Sequence, residues 1–212
     1  MTEDRLDRAR RHYERATFGG DVAALAAADR DLDAVEADLA LARGRVAHAR
    51  YLVHRTEDPD ELALFERAVR LYRRLGDERG EAEALFWVGI VHQVIRDDDE
   101  AALPAFTRSA ELAERVGDPM TLAYALRHLG ITDHRAGQLD AARARLTEST
   151  RLRREIGFLP GVAANLVALA HLAVAEGDRD AARALLDEAT ELAQASDARA
   201  VLGWIAEARG GL

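Results

Sequence analysis

A repeating pattern of about 40 residues constrains this chain more than any other feature of its sequence. The pair Gly76-Asp77 recurs at Gly117-Asp118, 41 residues later, and Gly117 recurs at Gly157 after a further 40. The pair Ala101-Ala102 recurs twice at a step of 40. Landmarks that share one step predict tandem copies of a single supersecondary unit, which bury a core only when neighbouring copies stack.

Each repeat is predicted to be two amphipathic helices joined by a short turn. Between residues 119 and 157 the apolar positions follow a helical spacing, and the turn falls at residues 136–139. Asp118-Pro119 supplies a helix start, with Asp as the N-cap and Pro as the first helical residue. Ala, Leu, Glu and Arg dominate the composition, as in close-packed helices. The sequence therefore predicts an all-α fold.

We predict one continuous domain, residues 1–212, divided at these landmarks. It comprises an N-terminal helix pair (1–36), four repeats (37–76, 77–117, 118–157 and 158–196) and a C-terminal capping helix (197–212). Residues 22–36 and 37–55 are predicted to be separate helices. The expected buried positions are Leu25, Ala28, Leu32 and Val35 in the first, and Leu39, Val46, Ala49 and Leu52 or Val53 in the second.

Composition excludes several classes of function. The chain has no cysteine, which rules out disulfides, Cys-ligated zinc and thiol catalysis. All 29 basic residues are Arg, and the net charge of −9 argues against general binding to nucleic acids or anionic membranes. No leader-like segment opens the sequence, and no apolar stretch approaches the roughly 18 residues of a membrane span. We therefore expect a cytoplasmic protein with no nucleic-acid or membrane partner.

At these landmarks the chain resembles the tetratricopeptide (TPR) repeat family, in its longer bacterial variety. The family's small residue in the first helix and its alanine in the second correspond here to Gly89, Gly130 and Ala170, and to Ala102, Ala142 and Ala182. The period of 40–41 exceeds the family's usual period of about 34. The family's proline near the end of the second helix is replaced by Gly-Asp. Such long repeats resemble arrays found in bacterial signalling and transcription-activator proteins.

The resemblance implies a right-handed α-solenoid whose concave groove is lined mainly by the first helix of each repeat. Transferring the family's groove-facing pattern gives a set of candidate site residues. They are Arg45, Glu83, Phe86, Trp87, Ile90, Gln93, Tyr124, Arg127, His128, Ile131, His134, Val167 and His171. Aromatic, basic and small aliphatic side chains together suit a ligand surface.

Two ambiguities remain within this set. Arg127 and His134 share a helix face, at a spacing of seven residues, whereas His128 does not share the face of His134. Arg127 either contacts a ligand or pairs with a carboxylate on the adjacent helix, such as Glu83. Phe86, Trp87 and Ile90 fit a core between repeats as well as a ligand platform.

The sequence contains no recognisable catalytic or cofactor motif, so no cofactor and no metal are predicted. A metal site assembled from His92, Asp133 and His134 is the weaker alternative. The basic cluster 151–154, flanked by Glu148 and Glu155, is predicted to be a solvated face with ion pairs one turn apart.

The leading functional hypothesis is a non-catalytic scaffold that holds a partner protein or peptide in the groove. The alternative is a small-molecule sensor, or an enzyme using a pocket around Tyr124, Arg127, His134 and His171. Self-association as a homodimer through a terminal helix is a third possibility. The family's carboxylate-clamp mechanism needs Lys and Asn; it is disfavoured because Lys is absent and Asn165 is the only Asn.

Overall fold

The computed structural model describes residues 2–212, and over this range the chain is all-helical, as predicted. It forms ten α-helices and no β-strand between residues 2 and 212. The helices are α1 (Thr2–Gly19), α2 (Ala24–His54), α3 (Glu61–Leu75), α4 (Glu78–Ile90), α5 (Asp99–Arg115), α6 (Pro119–Arg135), α7 (Leu139–Glu155), α8 (Leu159–Ala175), α9 (Arg179–Ala195) and α10 (Arg199–Gly210). A π-helical segment, Val91–Ile95, continues α4. None of the helices within residues 2–212 is long and apolar enough to cross a membrane.

The chain divides into two compact units, Met1–Ala105 and Phe106–Leu212. In the first unit, α1 packs against α2, α2 against α3, and α3 against α4. In the second, α6 packs against α7, α7 against α8 and α8 against α9, while α10 contacts both α8 and α9. Within each unit the helices therefore pack mainly against their neighbours in sequence. A single domain over the whole chain stays a prediction.

The turns from α5 onward follow a strict spacing. Backbone φ is positive at residues 97, 117, 137, 157, 177 and 197, one position in every 20. Glycine fills the four inner positions and adopts this left-handed conformation at no steric cost, whereas Asp97 and Asp197 fill the outer two. Every helix from α5 to α9 has 17 residues. A 40-residue repeat is therefore two helices and two turns of equal length.

Aspartate side chains cap the helix starts that the sequence marks. Asp118 accepts a hydrogen bond from the backbone N–H of Thr121 (3.2 Å), and Pro119 lies in the first turn, as predicted. Asp178 caps α9 in the same way through the N–H of Ala181 (2.9 Å). Each cap satisfies one of the donors that a helix start leaves without an intrahelical partner.

The predicted division of residues 22–55 into two helices is wrong. Ala24–His54 is one uninterrupted helix of 31 residues. The expected junction at 36–37 carries neither Gly nor Pro, and alanines at 34, 37 and 40 favour continuation of the helix. The predicted boundary between the N-terminal helix pair and the first repeat therefore lies inside α2.

The buried face of α2 consists mainly of small residues, not of the predicted large ones. A Cβ at Gly44 would lie 2.5 Å from Cε1 of Phe65, whose ring is fully buried, so α2 and α3 approach closely at this point. Alanines at 37, 40 and 47 extend the same close contact. The predicted positions that are exposed instead are Leu25, Leu32, Leu39, Val46, Ala49, Leu52 and Val53. Hydrophobicity alone selected the wrong side of the helix because small residues form its packing surface.

The core of the second unit is organised around α8. This helix buries residues on nearly all of its sides, as expected of a helix surrounded by others. Val162 and Leu172 are fully buried and belong to one apolar cluster with Leu146 of α7, Leu186 of α9 and Ile205 of α10. A rigid α8 thus fixes the positions of the side chains that project from it and from the adjacent helices.

We predict that Gly44→Ala destabilises the protein although alanine is the better helix former. The added methyl group meets the Phe65 ring, and the resulting overpacking exceeds the gain of about 1 kcal/mol in helix propensity. The free energy of unfolding in urea should fall by about 1–2 kcal/mol. Gly203→Ala in α10 is the matched control, since a Cβ there has no heavy atom within 4 Å. That variant should be stabilised by about 0.5–1 kcal/mol. Equal effects of the two substitutions would contradict the close contact.

Candidate functional site

A cleft of about 580 Å³ in the second unit is the candidate site. Side chains from α6, α8 and α10 form most of its wall, with Leu146 contributed by α7. The complete lining is Arg127, Ile131, His134, Leu146, Val167, Ala168, His171, Val174, Ala175, Trp204, Glu207 and Ala208. We call it the α6–α10 cleft. Its wall is mostly aliphatic, with a few polar groups directed at a common space, which is the usual composition of a ligand site.

Five of the residues predicted from sequence line this cleft together: Arg127, Ile131, His134, Val167 and His171. Those on α6 follow at steps of four and three residues, and the two on α8 at a step of four. Side chains at these steps lie on one face of a helix. Two helix faces that meet at the cleft therefore bring them together.

Arg127 is the strongest electrostatic feature of the cleft. Its Nη1 donates to the backbone oxygen of Ala164 (2.8 Å) and to Oδ1 of Asn165 (3.0 Å). Desolvation, and secondarily the charge of Arg153, lowers the pKa of Arg127 to about 9. Both hydrogen-bond partners are neutral, and among the side chains described, residues 4–212, no carboxylate forms an ion pair with Arg127. The guanidinium is thus a desolvated cation at neutral pH whose charge lacks a partner of opposite sign.

A buried hydrogen-bond chain holds Arg127 in position. Asn165 accepts from Arg127 and donates through Nδ2 to Oγ of Ser149 (2.8 Å). Ser149 in turn donates to the backbone oxygen of Ala123 (2.5 Å). Asn165 and Ser149 are both fully buried. Because every member of the chain has a fixed partner, the orientation of the guanidinium is set before any ligand arrives.

A second buried arginine lies behind the cleft, where the sequence predicted a solvated face. Arg153 is 2% exposed, and its guanidinium lies 4.8 Å from the ring centre of Tyr124. Nη1 donates to the backbone oxygen of Gly161 (2.7 Å), while Nε and Nη2 have no hydrogen-bond partner. Desolvation lowers the pKa of Arg153 to about 10. The adjacent Arg151 does form the predicted ion pairs, with Glu148 and Glu155.

Two histidines add imidazole groups to the cleft. His134 and His171 both line the cleft, and His171 is exposed at its rim. Burial, followed by the charges of His134 and Arg127, lowers the pKa of His171 below its usual 6.5. The neutral imidazole, which can donate and accept a hydrogen bond, is therefore favoured at neutral pH.

Helix α10 supplies part of the cleft that sequence reasoning missed. Trp204 is 44% exposed and lines the cleft together with Glu207 and Ala208. Residues 197–212 were predicted only to close the last apolar face, because they lie outside the repeats from which the site pattern was transferred. An aromatic residue and a carboxylate three residues apart, on one face of the terminal helix, were the available signal.

The other predicted residues of the second unit do not line the cleft. Tyr124 lies against Arg153 and near Phe158, with ring centres 6.0 Å apart. His128 stacks on Phe106 at a centre-to-centre distance of 5.2 Å. These side chains therefore contact the protein core around the cleft rather than the cleft itself.

The predicted residues of the first unit form an aromatic cluster centred on Trp87. Its ring stacks on Phe65 at 5.5 Å and meets the ring of Phe86 edge-on at 5.2 Å. Arg45 lies 6.0 Å from the Trp87 ring centre and forms an ion pair with Glu83. Three of the predicted residues, Phe86, Ile90 and Gln93, are buried. Most of the site residues predicted in the first unit therefore belong to its hydrophobic core.

A buried histidine–glutamate pair next to Trp87 was not anticipated from the sequence. His48 Nδ1 lies 3.1 Å from Oε1 of Glu61, and the Glu61 side chain is fully buried with Oε2 unpartnered. Desolvation, with smaller contributions from Asp58 and Glu57, raises the pKa of Glu61 to about 7. Burial lowers the pKa of His48. Both shifts favour the neutral forms, so the contact is a hydrogen bond more than an ion pair.

Among the side chains of residues 4–212, no group of three or more His, Asp or Glu is arranged to hold a metal ion. The weaker alternative from the sequence, a site of His92, Asp133 and His134, is therefore not assembled in this part of the chain. Asp133 instead accepts a hydrogen bond at Oδ1 from Nη1 of Arg145 (3.0 Å).

Comparison with known proteins gives information on the fold alone. No family model matches the chain, and no curated protein matches it. Among solved structures, the crystal structure of BtubC (BKLC) from P. vanneervenii is similar, with a TM-score of 0.50 and 17% identity. The match covers 92% of this chain and 91% of that chain. It agrees with an all-α architecture.

We predict that Glu61 makes stability depend on pH. Because the folded-state pKa is about 7 against 4.5 in the unfolded chain, the native state retains a proton that the unfolded chain releases. The resulting stability is present below pH 4.5 and is lost as the pH rises through 7. From pH 4.5 to 8, the free energy of unfolding of the wild type should fall relative to that of Glu61→Gln by on the order of 2–3 kcal/mol.

The measurement is urea unfolding at a series of pH values. Glu66→Gln, an exposed change on the same helix, is the control and should follow the wild type. A constant difference between wild type and Glu61→Gln at all pH values would contradict the raised pKa.

Proposed function

We propose that this protein is a non-catalytic interaction scaffold, in the cytoplasm, that binds an acidic segment of a partner protein in the α6–α10 cleft. The observation that carries the proposal is the desolvated guanidinium of Arg127, whose partners are an amide oxygen and a backbone carbonyl. A carboxylate of the partner supplies the missing negative charge. Arg is suited to this role because its planar fork can bind a carboxylate through two parallel hydrogen bonds.

The proposed architecture is that of a TPR-like solenoid, in which the helix pairs within each unit stack as a right-handed superhelix. Supporting it, α6 contacts α8 as well as α7, and α10 contacts α8 as well as α9. Contacts between a helix and the next but one are what stacked helix pairs require. The 20-residue spacing of the turns is a second support. The binding surface is then formed by successive first helices of each pair.

The form of the cleft favours a peptide segment. His171 and Trp204 are exposed at the rim, so an extended chain can enter and leave without threading through an enclosed space. The aliphatic side chains Ile131, Val167 and Val174 provide an apolar wall for the partner's side chains. Trp204 adds a large, partly exposed aromatic surface, a residue type that often contributes much of the binding energy at interfaces.

Electrostatics sets the expected direction of selectivity. The lining contains one arginine, Arg127, and two histidines, against the single carboxylate of Glu207. A carboxylate that pairs with the Arg127 guanidinium makes the free energy of binding more favourable, because a buried charge costs least when it is paired and hydrogen-bonded. Neutral and basic segments lack this contribution.

A small acidic molecule is the second candidate, and the size of the cleft favours it. About 580 Å³ falls within the range of roughly 300–1,000 Å³ that small-molecule sites occupy. A sensor or an enzyme of this kind would use Arg127, His134 and His171. Tyr124, which the sequence placed in the same set, would act only through Arg153.

We predict that Arg127→Met weakens binding of acidic peptides by about tenfold to a hundredfold, because a charge-assisted hydrogen bond contributes about 1.5–3 kcal/mol. The probe is a library of acidic peptides, each paired with a copy in which Asp and Glu are replaced by Asn and Gln. Trp204 fluorescence reports binding when Trp87→Phe is the common background, since the chain has two Trp residues.

Arg143→Met is the matched control, because Arg143 is exposed and pairs with Glu176 outside the cleft. It should bind acidic peptides as the parent does. Equal binding of acidic and amidated peptides, or an unchanged affinity of Arg127→Met, would overturn the proposal. Binding of dicarboxylic acids without binding of any peptide would favour the small-molecule candidate.

A further inference from the structure

One face of α2 carries a continuous row of exposed apolar side chains. The row consists of Leu25, Leu32, Leu39, Val46 and Val53, at steps of seven residues, and these side chains keep 45–74% of their surface exposed. Ala42 and Ala49 lie exposed on the same face. We call these seven residues the α2 stripe. The row extends for about 42 Å. Together with Ala42 and Ala49, each three residues after a member of the row, it has the spacing of a two-stranded coiled-coil seam.

A groove next to the stripe enlarges this surface. It lies between α2 and α3, has a volume of about 690 Å³ and includes Ala42 and Val46 of the stripe with Leu64 of α3. Its polar wall carries four arginines, at 43, 50, 67 and 70, together with Asp58 and Asp60. Exposed apolar surface of this extent marks a site of association in a soluble protein.

The charges beside the stripe change sign at the middle of the helix. The residues four positions after successive stripe residues are, in order, Asp29, Glu36, Arg43 and Arg50. Residues 29–38 contain five carboxylates and one arginine, whereas residues 43–55 contain four arginines and no carboxylate. The helix dipole favours this order of charges, but it does not require the apolar heptad beside them.

Three of the four flanking charges have no ion pair among the described side chains, those of residues 4–212. They are Asp29, Arg43 and Arg50, and each is exposed. The fourth, Glu36, pairs with Arg67 of α3. The flank of the stripe therefore holds unpaired acid at one end and unpaired base at the other.

We propose that the α2 stripe is a homodimer interface in which α2 packs antiparallel against α2 of a second copy. With the two-fold axis between Ala40 and Leu41, Glu36 lies two residues, about 3 Å along the helix, from the level of Arg43 of the second copy. Asp29 is offset equally from Arg50 of the second copy, so both pairs lie within reach of an ion pair. Each ion pair occurs twice, as an isologous interface requires.

In a parallel pair, each flanking residue would instead face the residue five positions earlier in the second copy. Two of the three such contacts, Glu36 with Asp31 and Arg50 with Arg45, would join like charges, and such flanking charges determine orientation in coiled coils.

The same register also matches the sizes of the apolar side chains. Leu39 lies opposite Ala42 of the second copy, and Leu32 lies opposite Ala49 of the second copy. Large residues thus meet small ones along the seam, which lets the two helices approach closely. The charge pairs and the size pairs are therefore both compatible with one antiparallel register. The interface uses the first unit alone, so it does not depend on the function proposed for the α6–α10 cleft.

The first experiment tests the charges with the full-length chain in multi-angle light scattering. The wild type should have twice the monomer mass of 23.2 kDa. Arg43→Glu/Arg50→Glu, which makes the flank wholly acidic, and Asp29→Arg/Glu36→Arg, which makes it wholly basic, should each be monomeric. An equimolar mixture of the two variants should recover the dimer, because every flanking pair is then of opposite charge.

The second experiment tests the orientation, and the absence of cysteine from the sequence makes it clean. Leu32→Cys and Ala49→Cys should not cross-link when either variant is oxidised alone, but their mixture should form a disulfide-linked dimer. Cross-linking of Leu32→Cys to itself would indicate a parallel pair and overturn the proposal.

Apolar variants and folding controls complete the test. Leu32→Glu/Leu39→Glu should be monomeric with unchanged helical circular dichroism, whereas Leu6→Glu, at an exposed leucine of α1, should remain dimeric. A monomeric wild type would overturn the proposal and leave the stripe to a different partner. A dimer that persists in all the α2 variants would place the interface elsewhere and overturn it equally.

Discussion

Two helix pairs in this protein, α2–α3 and α6–α7, depend on the same kind of contact, in which a large apolar side chain of one helix packs against a glycine of the other. In the first unit Phe65 occupies the space that a Cβ of Gly44 would need. In the second, a Cβ at Gly130 would lie 3.0 Å from Cγ of Leu146. Because glycine has no side chain, the two helices approach closely at such a contact. A larger residue in place of the glycine would force them apart. The side chains elsewhere on α6, including Arg127, are positioned by the same contact.

The sequence predicted the helices best where repeats and turns coincide. From residue 97 onward each turn has a residue with positive φ, most of them glycine, and this is why the glycine landmarks revealed the period. The helix boundaries predicted from the sequence were wrong at α2 for a physical reason. That helix has no turn residue near position 36, and its packing face is built from Ala and Gly, which carry little hydrophobic signal. The leucines that a hydrophobic pattern selects lie on the opposite, exposed face.

The cleft was only partly predictable for a related reason. Arg127, His134 and His171 follow helical spacing within the repeats, so a pattern transferred from repeat to repeat reaches them. Trp204 and Glu207 belong to the last helix, which has no successor with which to compare it. The burial of Arg153 depends on Tyr124, Phe158 and the absence of a side chain at Gly161, which the residues next to Arg153 in sequence do not reveal. Tertiary neighbours, not local sequence, determined these outcomes.

The constant interval between turns makes the region from residue 97 to residue 197 modular. Any stretch of 40 residues taken between equivalent turns begins and ends in the same backbone conformation. Duplication or loss of such a stretch therefore changes the number of helix pairs without requiring a different kind of turn. Arrays of this design can therefore differ in length by whole helix pairs while every junction keeps the same backbone conformation.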